Sequence, residues 1–212
     1  MRAGACIGLC LRAGRCRISL ASPLRPRPAA SRGAQGALLQ TAFRPAYPSS
    51  ASMKLQAALK SQYHAGLAML REAVDQCPAS LWDDPAFTNR TWQVAYHTLF
   101  YTHFYLQPAE KPYSPWERHR PGYHRLGEPA PAGVGLQGYS VPDILDCWTW
   151  CDDQVDALVD RLDLLASESG FPWYPIPKLD HQLVNLRHLQ HHTGQLAERL
   201  RRHSDIGLSW RG

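Results

Sequence analysis

Asn185-Leu186-Arg187-His188-Leu189-Gln190-His191-His192-Thr193-Gly194-Gln195-Leu196-Ala197-Glu198-Arg199 reads as a helix with two faces. At about 100° per residue, Leu186, Leu189, Leu196 and Leu200 gather on one side, while Arg187, Glu198, Arg201 and Arg202 gather on another. His188, His192 and Gln195 fall in the stripe between them. His188 and His192 are four residues apart and so about 40° from one another around the axis, and both imidazoles reach one point in space. Two neutral imidazoles at this spacing supply half of a tetrahedral metal shell; a catalytic site adds a third protein ligand and leaves one position open. Isolated pairs of this kind also arise on solvated helix faces, so the third ligand decides the matter.

An earlier stretch, Asn89 to Leu106, supplies a candidate. It carries Trp92, Val94, Ala95, Tyr96, Leu99, Phe100 and Phe104, is apolar nearly all round, and reads as the central helix. His97 lies in its middle. A buried polar group without a partner costs about 1 to 3 kcal/mol, so the ring needs partners for its nitrogens. A metal would satisfy one nitrogen, and a carbonyl or carboxylate the other. His103, six residues on and about 120° away, cannot easily face the same ion and stands as the alternative third ligand. In the last helix His181 and Asn185 continue the histidine stripe, whereas His191 points toward the charged side and reads as an outer or solvated residue. Gly194 in mid-helix costs about 1 kcal/mol relative to Ala, which close approach of a neighbouring helix would offset.

Around these two stretches the chain divides into four amphipathic segments. From Met53 to about Gln76, Leu55, Leu59, Tyr63, Leu67, Leu70 and Val74 recur at helical steps until Pro78. Nothing near His64 recommends it as a ligand, and Trp82-Asp83-Asp84-Pro85 reads as a connector. Ser140-Val141-Pro142-Asp143 has the form of a capping box. The helix it starts runs to about Leu165, with Ile144, Cys147, Trp148, Cys151, Val155, Leu158, Val159 and Leu162 as its buried stripe. Its row of aspartates reads as a solvated face, from which one could serve the histidines as an outer acceptor. The last helix spans from Leu179 or Asp180 to Arg202 or His203. Between the second and third helices, residues 107–139 are rich in Pro and Gly and carry Trp116, His119, Tyr123 and His124. They read either as the cover of a pocket or as a packed crossover joining parallel helices. The fold class is therefore all-α, a four-helix bundle with a long crossover loop between helices 2 and 3.

Charge and composition exclude several roles. Residues 1–52 hold eight Arg and no Asp or Glu, so the rest of the chain carries a net charge of −3 and offers no nucleic-acid surface. No apolar run reaches the ~18 residues of a membrane span. Residues 1–52 lack any helical or strand period and read as a disordered tail, either a mitochondrial transit peptide or the product of a start assigned upstream of Met53. Cys77, Cys147 and Cys151 have no disulfide or zinc spacing, and the two at i and i+4 read as core. A reducing compartment follows: the cytoplasm, or the mitochondrial matrix if the tail is a transit peptide.

The string His-x-x-His-His-x-Gly-Gln at 188–195, with one histidine in an earlier apolar helix, resembles the DinB-like superfamily, also called the YfiT-like metal-dependent hydrolases. The resemblance extends from about Met53 to Trp210. It implies an up-down-down-up bundle, often a homodimer, holding a divalent ion between three histidines. His97 is the position that matches the family's third ligand, beside His188 and His192. Zinc or nickel is the expected ion, with manganese or iron as alternatives. The resemblance further implies an enzyme that activates water, or a low-molecular-weight thiol such as bacillithiol or mycothiol, for hydrolysis or S-transfer on a small-molecule substrate. Gln195, Asn185 or His124 would orient that substrate. The alternative is a non-catalytic bundle that senses a metal or a small ligand.

Overall fold

The computed structural model describes residues 50–127 and 137–211, with side chains from Met53 onward. Six helices appear there: α1 (Ser50–Asp75), α2 (Ala79–Trp82), α3 (Thr91–Tyr105), α4 (Val141–Asp152), α5 (Val155–Asp160) and α6 (Lys178–Ser204). Among the described residues there is no strand, and no helix is long and apolar enough to cross a membrane.

Side-chain pairings give each helix its direction. Tyr63 donates to Gln182 at 2.9 Å and Gly66 lies against Leu189, so α1 and α6 run parallel. His97 meets His188, and Asn185 donates to the Thr102 carbonyl, so α3 runs antiparallel to α6. His103 meets Gln154 and the Cys151 thiol faces the Leu99 carbonyl, so α3 and α4 are parallel. The bundle is thus up-down-down-up, with α4 and α5 together forming its third strut. Two parallel neighbours force a chain return the length of the bundle, which the stretch between Leu106 and Ser140 provides.

α3 is the central helix, with every residue but Phe100 buried. Residues this apolar all round have no solvent face to offer, so α1, α4, α6 and the crossover surround them. Trp116, Tyr123 and Tyr139 of the crossover are buried against Trp92 and Tyr96, so the described part of this connection is a packed layer of the core. Cys147 and Cys151 are buried core residues. The capping box at α4 is present: the Ser140 hydroxyl accepts from the Asp143 amide, and the Asp143 carboxylate accepts from the Ser140 amide.

Three expectations need correction. The third amphipathic segment is not one helix reaching Leu165; α4 stops at Asp152, α5 resumes at Val155 and ends at Asp160. At the break the Gln154 amide reaches back only three residues, to Cys151, and at the far end Arg161 and Leu162 do the same to Leu158 and Val159. Such tight turns end a regular α-helical ladder. The connector near Trp82 contains the helical turn α2, anchored by the Trp82 indole donating to the Tyr139 carbonyl at 2.8 Å. Gly194 is not a point of close approach, since a Cβ there would meet nothing within 4 Å. The close approach is at Gly66, where a Cβ would lie 2.7 Å from the Leu189 side chain. The tail read as residues 1–52 meets the described residues only at 50–52, where α1 has already begun; the rest of that reading, at residues 1–49, and the part of the crossover reading at residues 128–136 lie outside the described residues.

Candidate metal centre

The long α6 and the buried α3 cross face to face, and their antiparallel register brings His97 opposite His188 and His192. Ring centroids are 5.0 Å apart for His97 and His188, 4.7 Å for His97 and His192, and 4.6 Å for His188 and His192. One ring nitrogen from each lies within 4.8 Å of the others, and among the described residues this is the one group of three metal-ligating side chains so arranged. His97 and His192 are buried and His188 is half-buried. The cluster is capable of holding a metal ion.

Outer partners fix the tautomers of two rings. His97 Nδ1 donates to the backbone carbonyl of His124 at 2.7 Å, and His192 Nδ1 donates to Gln195 Oε1 at 2.8 Å. A neutral ring with its proton on Nδ1 presents the Nε2 lone pair inward, as a ligand must. The Gln195 amide is itself held by its own NH2, 3.2 Å from His191 Nε2. His97 Nε2 and His188 Nε2 are 3.0 Å apart. Two bonds of about 2.0 to 2.1 Å to one ion, opening at roughly 90° to 110°, place their nitrogens about 2.9 to 3.4 Å apart, so this spacing fits a shared ion. Without a cation one of the two nitrogens has to donate to the other, and the buried Nδ1 of His188 has no hydrogen-bond partner.

Electrostatics point the same way. Burial, followed by the neighbouring charges that protonated His188 and His192 would carry, holds His97 well below the usual histidine range. His188 is pushed down to about 3 by burial and then by His192 and His191. His192 falls to about 4, mainly by burial, with the Gln195 bond opposing. All three rings are therefore neutral at pH 7, the form that binds a metal.

The remaining residues singled out in the sequence fall elsewhere. His103 does not join the cluster; its nitrogens face Gln154 and the Tyr113 hydroxyl, and its ring lies 4.0 Å from Trp150. His191 is exposed; its ring meets that of His192 edge-on at 4.9 Å, and its Nε2 lies 3.2 Å from the Gln195 side-chain amide nitrogen. Asn185 is fully buried, its amide donating to the Thr102 carbonyl at 3.0 Å. The His124 ring stacks on Phe100 at 4.1 Å, while its carbonyl holds His97. His181 sits among Tyr105, Phe171 and Tyr174 with no hydrogen bond to either nitrogen. No aspartate of the third strut takes the acceptor role imagined for it: Asp152 and Asp156 face His64, Asp160 faces Lys60, and Asp146 faces Trp116 and Arg118. A backbone carbonyl and a carboxamide do that work instead. Tyr101 was not singled out, yet its ring packs against both His97 and His188 at 4.7 and 5.7 Å. Its spacing of four from His97 on a helix was the available signal.

Comparison with known protein families matches residues 62–196 to the DinB superfamily. That is more than half of the chain, and the chain belongs to this superfamily. The matched region contains all three histidines of the cluster. Searches of curated proteins and of solved structures return no match.

Proposed function

We propose that this protein is a metal-dependent enzyme in which His97, His188 and His192 hold a divalent ion, zinc or nickel before manganese or iron. The observation that carries the reading is the buried cluster of three ring nitrogens within 4.8 Å of one another, two of them turned inward by outer acceptors. An ion held by three neutral ligands keeps its full positive charge and lowers the pKa of a bound water or thiol toward neutrality. The chain's own part is to keep the imidazoles neutral and oriented. Gln195 and the His124 carbonyl orient them, and burial, to which the Tyr101 ring against His97 and His188 contributes, keeps them neutral. No carboxylate hydrogen-bonds to the described cluster to act as a general base, which favours a low-molecular-weight thiol nucleophile for S-transfer over hydrolysis of the small substrate.

A second reading is a non-catalytic metal sensor, and the burial of His97 and His192 favours it. The two differ in whether an exchangeable coordination position exists. Metal content of the purified protein and of His192→Ala, measured by plasma mass spectrometry, is the first test. About one ion per chain, lost in the variant while helical circular dichroism persists, is expected. A native protein that takes up none of the four ions ends both readings. If an ion binds but neither exogenous imidazole nor a small thiol perturbs the cobalt-substituted spectrum, the sensor reading stands and the enzyme reading falls.

A further inference from the structure

Away from the histidine cluster, α1 faces the break in the third strut with one titratable ring. His64 Nδ1 lies 2.7 Å from Asp152 Oδ1, on the last residue of α4, and His64 Nε2 lies 3.1 Å from Asp156 Oδ1, in the first turn of α5. A carboxylate only accepts, so each of these bonds needs a proton on its nitrogen, and only the imidazolium carries both. We propose that His64, Asp152 and Asp156 form a proton-operated staple: the charged ring ties both α4 and α5 to α1, and the neutral ring keeps one carboxylate and releases the other.

The surroundings support this arrangement. The other charged groups facing His64's stretch of α1 are Lys60, one turn earlier, and Asp160, and these two satisfy each other at 2.7 Å. Lys60 therefore does not neutralise the two aspartates, and the ring is their counter-charge. Partial burial lowers the His64 pKa, but the hydrogen bonds to Asp152 and Asp156, and then their charges, outweigh it and raise the pKa above the usual histidine value. The staple also sits where α-helical hydrogen bonding is interrupted. At the break the Asp153 amide still reaches Thr149, but the Gln154 amide reaches only Cys151, so one α-helical bond is replaced by a tight turn and the staple's two carboxylates stand on either side of it. The same joint carries Gln154, whose Oε1 lies 3.3 Å from His103 Nε2 of α3, so the joint is also in contact with the central helix.

A folded-state pKa above the unfolded value means that the staple's contribution is full below about pH 6.5 and is lost as pH rises through the folded pKa. The test is an NMR titration of the His64 ring in the full chain, beside Asp156→Asn and Asp152→Asn. Asp156 is exposed, so its variant leaves the core intact. The expected result is a His64 pKa above 6.5 that falls in each variant. Amide protection in Val155–Asp160 should also drop severalfold between pH 6 and pH 9 in the native chain but not in Asp156→Asn. A His64 pKa at or below 6.5, or equal protection at both pH values in the native chain, overturns the proposal. The readout involves no metal, so its failure is separate from that of the metal centre.

Discussion

At the scale of single residues, the cluster depends on groups that never touch a ligand. His192 presents its Nε2 lone pair inward because Gln195 Oε1 accepts a hydrogen bond from its Nδ1–H. Replacing Gln195 by Leu keeps the helix but removes the acceptor. Metal affinity by chelator competition is then expected to fall about 10- to 100-fold, with unchanged circular dichroism, and Gln195→Glu, which keeps an acceptor, is expected to restore most of it. Equal affinity in Gln195→Leu would show that the carboxamide is a bystander. The pair on α6 was legible from side-chain identity and the i and i+4 spacing; the third ring was narrowed to His97 or His103 by their place in an apolar helix, and the family resemblance favoured His97, the one the structure brings to the pair. The acceptor for His97 was not legible. It is a backbone carbonyl, which every residue has, and only the path of the crossover places that of His124 there.

At the scale of elements, periodicity gave the four struts and their order but missed the interruption in the third. The stripe of Cys147, Cys151, Val155, Leu158 and Val159 stays buried across the break, so the hydrophobic pattern never falters; only the hydrogen bonding changes. Glycines show the converse, where composition suggested contact and geometry reassigned it. Gly194 is an exposed helix-interior position with open space around its missing Cβ, so Gly194→Ala is expected to stabilise the bundle by about 1 kcal/mol. Gly66→Ala gains the same propensity, but its Cβ would press on fully buried Leu189, and overpacking costs about 1 to 3 kcal/mol. Urea midpoints of the two variants should therefore move apart, Gly194→Ala upward and Gly66→Ala unchanged or downward. A rise in both would mean that α1 and α6 are packed less tightly than described.

At the scale of the whole molecule, buried neutral histidines set its acid limit. His103 and His181 are both lowered to about 4, principally by burial, with the Gln154 bond opposing in the first and the Lys178 charge assisting in the second. As pH falls below about 6.5 the unfolded chain takes up these protons first. Stability is full above that value and lost between it and about 4, by up to roughly 3 kcal/mol per residue. The thermal midpoint should fall across this window, and less steeply in His181→Phe, which places an apolar ring in an aromatic surround. The topology has one more consequence, in time rather than energy. His97 and His188 are 91 residues apart in sequence, with the whole crossover and third strut between them, and closing so long a loop costs about 4 kcal/mol of chain entropy. Their meeting is therefore expected among the late steps of folding, after the nearer contacts have formed. An ion bound there would act mostly on the way out: in stopped-flow traces it is expected to slow unfolding and leave the folding rate nearly unchanged. The centre would then be a clasp that governs how long the native state lasts.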